Sequence, residues 1–272
     1  MNTLRTFGSA AGAAAVAGGL VLVAPPATAA DTATVSILHG VPNTPVDVYA
    51  NGERLIDDFQ PGTLTDPLTL PAGAYDLAIF PADAPDGSGE PLLEADDVAV
   101  PAGADATVVA HLKEDGSPTL TPFVNDTSAV PAGQARVTVR HAAAAPAVDV
   151  RAGGTPVVKA LTNPNEATLT APAGTVSADV VLAGTSTVAI GPADLDLAEG
   201  TSAIVYAWGS GEAGYDLAVQ TVGGTHSSPS GVPGGTAGLA DDDSSLPMVA
   251  GLSLAGLAVA GAGAVRLART RG

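Results

Sequence analysis

Two histidines and two aspartates recur at matching positions and are the first candidates for chemistry. Asp47 follows His39 by eight residues, and Asp149 follows His141 by the same distance. A His–Asp pair can hold a metal ion or transfer a proton. Each repeat offers only one such pair, with no nucleophile at a fixed spacing, and strand alternation directs Asp47 away from its apolar neighbours. This pattern favours a structural role in which each histidine fixes a loop by a hydrogen bond. His39, Asp47, His141 and Asp149 remain candidates for a binding site.

A second candidate is the acidic loop 83–90, in which carboxylate oxygens are clustered. Asp83, Asp86 and Glu90 could act as oxygen ligands of Ca²⁺. Pro85 occupies the position of the second ligand in an EF-hand loop, and the corresponding part of the second repeat carries no acid. The sequence therefore favours a solvated hairpin loop and predicts no metal, with these three residues as the candidate ligands.

Other kinds of catalytic site find no support in the sequence. The chain has no cysteine, which excludes a thiol nucleophile. Its Gly-Ser-Gly triplets do not form the G-x-S-x-G turn of a serine hydrolase, and no glycine-rich phosphate loop opens a helix. We expect a protein that is not an enzyme and that needs no cofactor.

The middle of the chain contains an internal duplication. The His, Asp and Gly positions of the first copy recur 102 residues later, and Pro71-Ala72-Gly73 recurs 101 residues later. Alternating apolar residues predict strands, and Asn51-Gly52 and Gly153-Gly154 predict tight hairpins. Besides the strands around the His and Asp residues, predicted strands are 74–80, 96–100, 106–112, 118–124, 167–171, 175–182, 201–208 and 214–221.

These patterns predict an all-β fold of two tandem immunoglobulin-like β-sandwich domains, flanked by a signal peptide and a C-terminal transmembrane helix. The predicted segments are a signal peptide at 1–30, a first repeat at 31–125, a linker at 126–134, a second repeat at 135–222, a flexible stalk at 223–245, a transmembrane helix at 246–265 and a basic cytoplasmic tail at 266–272.

The opening of each repeat resembles the domain of unknown function 4397. A strand ending in His39, a small proline-containing loop, the Val-Asp-Val around Asp47 and a glycine turn carry the resemblance, and His141 to Asp149 follow the same order. The resemblance covers most of 33–222. It implies an exported bacterial β-rich domain, often present in tandem, and it brings no assigned activity or catalytic residues.

The two ends of the chain predict its location. An apolar, alanine-rich stretch followed by an A-x-A site is typical of a cleaved secretory signal. The uncharged segment 246–265 is long enough to span a bilayer, and the arginines after it belong on the cytoplasmic side. The motif Leu246-Pro247-Met248 lacks the Thr-Gly pair that sortases cleave. We therefore expect a membrane-anchored ectodomain outside the cell rather than covalent attachment to the wall.

The charge of the exported part narrows the choice of partners. Of the chain's 10 basic and 28 acidic residues, 6 basic and all 28 acidic ones lie in 31–245, a net charge of −22. Such a surface repels nucleic acid. The partner is expected to be an envelope or extracellular protein or polymer, with the membrane contacted through the C-terminal helix.

Three functions are open on this basis. The first is a non-catalytic cell-surface or envelope protein whose two β-sandwich modules serve binding, adhesion or spacing. The second is a Ca²⁺-dependent adhesion or assembly module that uses the acidic first repeat. The third is an enzyme with a His–Asp site.

Overall fold

The structure is a computed structural model that describes residues 31–225. These residues form strands, turns and loops without a helix, so the predicted all-β fold is confirmed. Within that range, accordingly, no helix is long and apolar enough to cross a membrane. The predicted signal peptide, the transmembrane helix, the basic tail and all but the first residues of the stalk lie outside the described range.

Eight strands form the first half of the described chain, here residues 31–125. They are β1 (Thr32–His39), β2 (Val46–Ala50), β3 (Glu53–Phe59), β4 (Leu68–Pro71), β5 (Gly73–Pro81), β6 (Leu93–Val100), β7 (Asp105–Leu112) and β8 (Pro118–Val124). They make two four-stranded sheets, with the orders β4-β1-β7-β8 and β3-β2-β5-β6.

The second half, here residues 134–225, repeats this arrangement. Its strands are β9 (Gln134–Ala144), β10 (Val148–Ala152), β11 (Thr155–Leu161), β12 (Glu166–Pro172), β13 (Gly174–Leu182), β14 (Val188–Leu197), β15 (Ser202–Ser210) and β16 (Gly214–Val222). The sheet orders β12-β9-β15-β16 and β11-β10-β13-β14 correspond strand for strand to those of the first half. The duplication read from the sequence is therefore also a duplication of topology.

Each half buries an apolar core between its two sheets. In the first half, Ile37 of β1 packs with Val48 and Ile79 of the other sheet. In the second half, Val139 of β9 packs with Val150 and other residues from the opposite sheet. The alternation of side chains along each strand supplies these inward faces.

The strand order differs from the immunoglobulin order that the sequence analysis expected. In an immunoglobulin domain the first strand lies beside the second. Here β1 lies between β4 and β7 and runs parallel to β7, while β2 lies between β3 and β5. The same parallel pair, β9 with β15, recurs in the second half. Alternation within a strand specifies which face is buried, but it does not specify which strand becomes the neighbour.

The predicted hairpin turns are confirmed. Asn51 and Gly52 have φ angles of 52° and 78°, and Gly153 and Gly154 have φ angles of 54° and 78°. Two consecutive residues with positive φ are what a type I′ turn requires. These turns fix the register of β2 with β3 and of β10 with β11 and thereby place Asp47 and Asp149.

Candidate functional site

The most distinctive feature of the molecule is a third buried core, located between its two halves. Leu38, Val109, Ile204 and Tyr206 are each at most 1% exposed and belong to one cluster that draws on both halves. They project from the β4-β1-β7-β8 and β12-β9-β15-β16 sheets, which we call the interface sheets. The central strands of these sheets are therefore buried on both faces, one toward their own core and one toward the other half.

A hydrogen-bonded network of uncharged side chains crosses this interface. Gln220 lies at its centre: its Oε1 accepts from the Tyr206 hydroxyl at 2.6 Å and from Thr107 Oγ1 at 2.9 Å. Its Nε2 donates to Ser36 Oγ at 3.2 Å. Thr107 and Ser36 belong to the first half, and Gln220 and Tyr206 to the second. Because buried polar groups are costly when unpaired, these bonds favour one relative position of the two sheets.

Arg140 brings a charged side chain into this interface, and it is 1% exposed. Its Nε donates to Glu166 Oε2 at 2.7 Å, and an Nη donates to the Tyr206 hydroxyl at 2.8 Å. The guanidinium also lies over the ring of Phe123 from the first half, 4.4 Å from its centroid. Burial raises the pKa of Tyr206 above its ordinary value, so this phenol remains a neutral hydrogen-bonding group.

The linker between the halves is packed rather than free. Val130 is 1% exposed, and its backbone N–H donates to the carbonyl of Thr225 at 2.7 Å. Arg136 donates to the carbonyls of Asp126 and Ser128 at 3.0 and 2.9 Å and pairs with the Asp126 carboxylate at 3.2 Å. These contacts fix the linker against the second half.

Trp208, the single tryptophan of the chain, seals one side of the interface. It projects from β15 of the second half against Gly40 and Gly62 of the first. A Cβ at Gly62 would lie 2.7 Å from Trp208 Cζ2, and one at Gly40 would lie 3.3 Å from Trp208 Cβ. The indole Nε1 is buried with no hydrogen-bond partner. Two glycines of one half thus make room for the largest side chain of the other.

The histidines singled out in the sequence lie at equivalent places and hold loops. His39 is 1% exposed, with Nε2 at 2.7 Å from the carbonyl of Thr44 and its ring stacked on Phe59 at 5.6 Å. His141, also 1% exposed, places Nε2 at 3.0 Å from the carbonyl of Pro146. Since a carbonyl can only accept, both Nε2 atoms carry the proton. This is the loop-fixing arrangement that the sequence favoured.

The two aspartates form their hydrogen bonds where the strand pairing is irregular, and not with the histidines. Asp47 accepts from the backbone N–H of Asp58 at 2.9 Å and from Arg54 at 3.1 Å. Asp149 accepts from the backbone N–H groups of Ala160 and Gly184 at 2.8 and 3.2 Å, and these bonds lower its pKa. Between residues 31 and 225, no hydrogen bond or ion pair joins either aspartate to the histidine of its repeat.

Both aspartates act at the same structural feature. Asp58 and Ala160 have positive φ angles of 50° and 52° and occupy register shifts in the pairing of β2 with β3 and of β10 with β11. A bulge leaves backbone groups out of the ladder, and the carboxylates accept from them. This structural role is sufficient to explain why an aspartate recurs at this position in both repeats.

The candidate calcium ligands are not brought together. Asp86 accepts hydrogen bonds from the backbone N–H and the hydroxyl of Ser88, which lower its pKa. In the described range, no group of three or more His, Asp or Glu side chains is arranged to hold a metal ion. Asp83, Asp86 and Glu90 thus lie in one loop without forming a coordination site.

From the three histidines in the described range we predict how the free energy of unfolding depends on pH. Burial is the main cause that lowers the pKa of His39, His111 and His141. An unfolded histidine titrates near pH 6.5. Below that pH the unfolded chain binds protons that the folded chain does not, so stability is full above pH 6.5 and falls with the pH.

We expect the free energy of unfolding to be nearly constant from pH 8 to pH 7. Below pH 6.5, each histidine should contribute a loss of up to about 1.4 kcal/mol per pH unit. The three together should lower the free energy of unfolding by up to about 4 kcal/mol per pH unit. Urea titrations between pH 8 and pH 5.5 would measure this. His39→Leu should reduce the slope by about a third, and a stability that is flat down to pH 5.5 would contradict the prediction.

Sequence reasoning missed the residues of the interface although one signal was present. The runs Val108-Val109-Ala110 and Ala203-Ile204-Val205-Tyr206 are continuously apolar, where a strand with one exposed face should alternate. Such runs indicate strands that are buried on both faces. Tyr206, a hydrogen-bond partner of Arg140, is 66 residues away from it in the sequence, and Thr107, a partner of Gln220, is 113 residues away. No local sequence pattern encodes contacts over such separations.

Comparison with known proteins identifies part of the chain. Residues 33–151 match the family model described as "Domain of unknown function (DUF4397)". The match covers the first half, the linker and the opening of the second half as far as β10. A search of curated proteins finds no match. The resemblance noted from His39 and Asp47 is confirmed over this range.

Proposed function

Residues 33–151 match the model of the DUF4397 family, and we propose that this chain is a non-catalytic surface protein. In this proposal its two β-sandwich modules are locked into one rigid body that presents a binding face outside the cell. The observation that carries the proposal is the continuous core between the halves, with Arg140 and Gln220 buried in it. Modules that serve only as flexible spacers do not need such a core.

The interface supports binding because it fixes geometry. Two modules that cannot rotate against each other present their loops and outer strands at constant distances, which lowers the entropy lost when a partner engages both. The hydrogen bonds of Gln220 with Thr107 and Ser36 and the contact of Arg140 with the Phe123 ring cross the interface and specify that geometry. The proposal therefore places the recognition surface across both halves.

The charge of the exported part sets the class of partner. Residues 31–245 hold 6 basic and 28 acidic residues. We propose an envelope or extracellular protein or polymer that is neutral or basic where it makes contact, and not a nucleic acid. The signal peptide and apolar C-terminal segment read from the sequence support export and anchoring, and antibodies against 31–225 should then label intact cells.

The experiment is a pull-down of envelope and secreted fractions on immobilised 31–245, with an Arg140→Ala variant of the same segment as the matched control. We expect a saturable partner that the variant, which loses the contact of Arg140 with Phe123 across the interface, retains several-fold less well. Equal retention would contradict the role of the rigid interface. The absence of any retained partner, with the protein folded, would contradict a binding function.

A further inference from the structure

The interface sheets of the two halves differ at one edge strand, which is β8 in the first half and β16 in the second. Leu120 and Leu217 are equivalent, since each lies opposite the alanine that pairs with the histidine of its repeat. In the same register, Pro122 of β8 corresponds to Val219 of β16. The two edges can therefore be compared position by position.

On β16, every second residue turns its backbone groups away from β15. Antiparallel strands alternate between residue pairs that exchange both hydrogen bonds and pairs that exchange none. The N–H of Leu217 donates to the Asp216 carboxylate at 2.7 Å instead of to β15, so Leu217 belongs to the second kind of pair. Val219 and Thr221 belong to it as well, because the register runs along all of β16 without a shift. Their N–H and C=O groups point to the free edge of the sheet.

In β8 the corresponding positions are blocked. The N–H of Asn125 donates to the carbonyl of Asp105 at 2.7 Å and continues the β7–β8 ladder, which leaves Pro118 and Pro122 on the free edge. A proline offers no N–H to a further strand, and it is one device by which proteins keep edge strands from pairing. Val219, the equivalent of Pro122 in β16, keeps its N–H.

Most other edge strands of residues 31–225 are interrupted or short. β3 and β11 carry bulges, the pairings of β6 and β14 shift register, and β4 has four residues. β12, at the opposite edge of the sheet that contains β16, is regular but leaves no large apolar side chain exposed. β16 has nine residues, and its Val219 is 37% exposed. An edge of that kind is a template for one more strand.

The surroundings of this edge are acidic. The Asp216 carboxylate lies at the free edge itself, because it accepts from the outward N–H of Leu217. Asp194 and Asp196 are exposed on β14, a strand that contacts β16. Residues 160–225 contain seven acidic residues and no lysine, arginine or histidine. The field at this edge therefore attracts a basic strand and repels an acidic one.

We propose that β16 accepts an added strand from a basic partner polypeptide. This inference rests on the proposed binding function and names the kind of segment that is recognised. The partner's backbone pairs with the free N–H and C=O groups of Val219 and Thr221, which supplies affinity. Its alternate side chains supply specificity: apolar ones extend the face of Val219, and lysine or arginine side chains lie on the face of Asp216.

A second copy of the chain fits this edge less well than a basic partner. Two β16 strands paired with each other would bring two Asp216 carboxylates and two acidic second halves together, with no basic residue of 160–225 to compensate. A partner strand that alternates apolar and basic residues makes the same backbone bonds without that repulsion.

The test is an NMR titration of ¹⁵N-labelled 31–245 at pH 7.5 with three short synthetic peptides. The first alternates valine and lysine, the second alternates valine and glutamate, and the third is the first with its central residues N-methylated. We expect saturable shifts at Val219 and Thr221 with the first peptide and about tenfold or more weaker binding of the other two. Equal binding of the N-methylated peptide would show attraction by charge alone, and equal binding of the glutamate peptide would show no preference for a basic strand. Either result would overturn the inference.

A proline on the strand gives the matched variant. Val219→Pro copies Pro122 and removes a free-edge N–H without removing a bond to β15, so it should keep its circular dichroism spectrum and lose peptide binding. Thr170→Pro places a proline on the free edge of β12, because the N–H of His141 donates to the carbonyl of Asn165 at 3.0 Å in the β9–β12 ladder. This control should bind the peptide normally. The N-methylated peptide tests the same pairing without any change in the protein.

The variants also separate the other ways in which this edge could be used. Peptide binding that survives Val219→Pro, or that only Thr170→Pro abolishes, would overturn the role of β16. A dimer of the unmodified protein in sedimentation that Val219→Pro dissociates would assign the edge to a second copy instead. An envelope partner retained equally by the unmodified protein and by Val219→Pro would overturn this inference and leave the proposed function standing.

Discussion

Replacing Arg140 with alanine is expected to lower the free energy of unfolding by about 2–5 kcal/mol, the usual loss when a large buried side chain is cut back to alanine. The guanidinium is 1% exposed and satisfies both Glu166 and the Tyr206 hydroxyl. Alanine also leaves a cavity beside Phe123, over whose ring the guanidinium lies at 4.4 Å. Urea unfolding followed by far-ultraviolet circular dichroism and by Trp208 fluorescence would measure the loss.

The control substitution separates charge from packing. Arg140→Met keeps an unbranched stem of similar length but removes the ionic contacts, and apolar replacements of buried ion pairs are often tolerated. We expect Arg140→Met to cost about 1 kcal/mol or less. If alanine and methionine were equally damaging, the ionic and hydrogen-bonded contacts would carry the stability. A loss below about 1 kcal/mol for alanine would contradict the role given to Arg140.

Gly62→Ala is expected to destabilise the protein by about 2–5 kcal/mol through two separate effects. Gly62 has a φ of +78°, which costs an L-residue about 1–2 kcal/mol. The new methyl would also lie 2.7 Å from Trp208 Cζ2, and overpacking of this kind costs about 1–3 kcal/mol.

Gly52 provides a matched control for this prediction. It has the same φ of +78°, and nothing lies within 4 Å of its added Cβ. Gly52→Ala should therefore lose only the backbone part, and the difference between the two variants reports the contact across the interface. In a Trp208→Ala background that difference should vanish. Equal losses for Gly52→Ala and Gly62→Ala would show that Trp208 is not seated against the first half.

The elements that sequence reasoning located are those with local signals. Alternating valines and isoleucines gave most strands within two residues, and Asn51-Gly52 marked a turn whose positive φ angles require such residues. The strands β3, β11 and β14 were missed because irregularities interrupt their pairing and alternation, and β4 was missed because it is only four residues long. The four candidate residues of the repeats were correctly placed on strands, with the histidines at loops.

The interface could not be predicted from the sequence because it forms between strands that are far apart in the chain. Arg140 and Gln220 are polar residues within apolar strands, and only the packing of the second half on the first makes their positions interior. Their partners are distributed over β1, β7, β12 and β15. Likewise, the immunoglobulin strand order was a choice among sandwich topologies that alternation does not distinguish.

The central claim is that the two halves form one rigid body, and a distance measurement between them tests it most directly. The chain has no cysteine, so Glu94→Cys and Asp194→Cys, at exposed positions of β6 and β14, give two unique sites for spin labels in 31–245. Double electron–electron resonance should show one narrow distance distribution, which broadens when Arg140→Ala is added. A broad distribution in the protein without that substitution would contradict the claim.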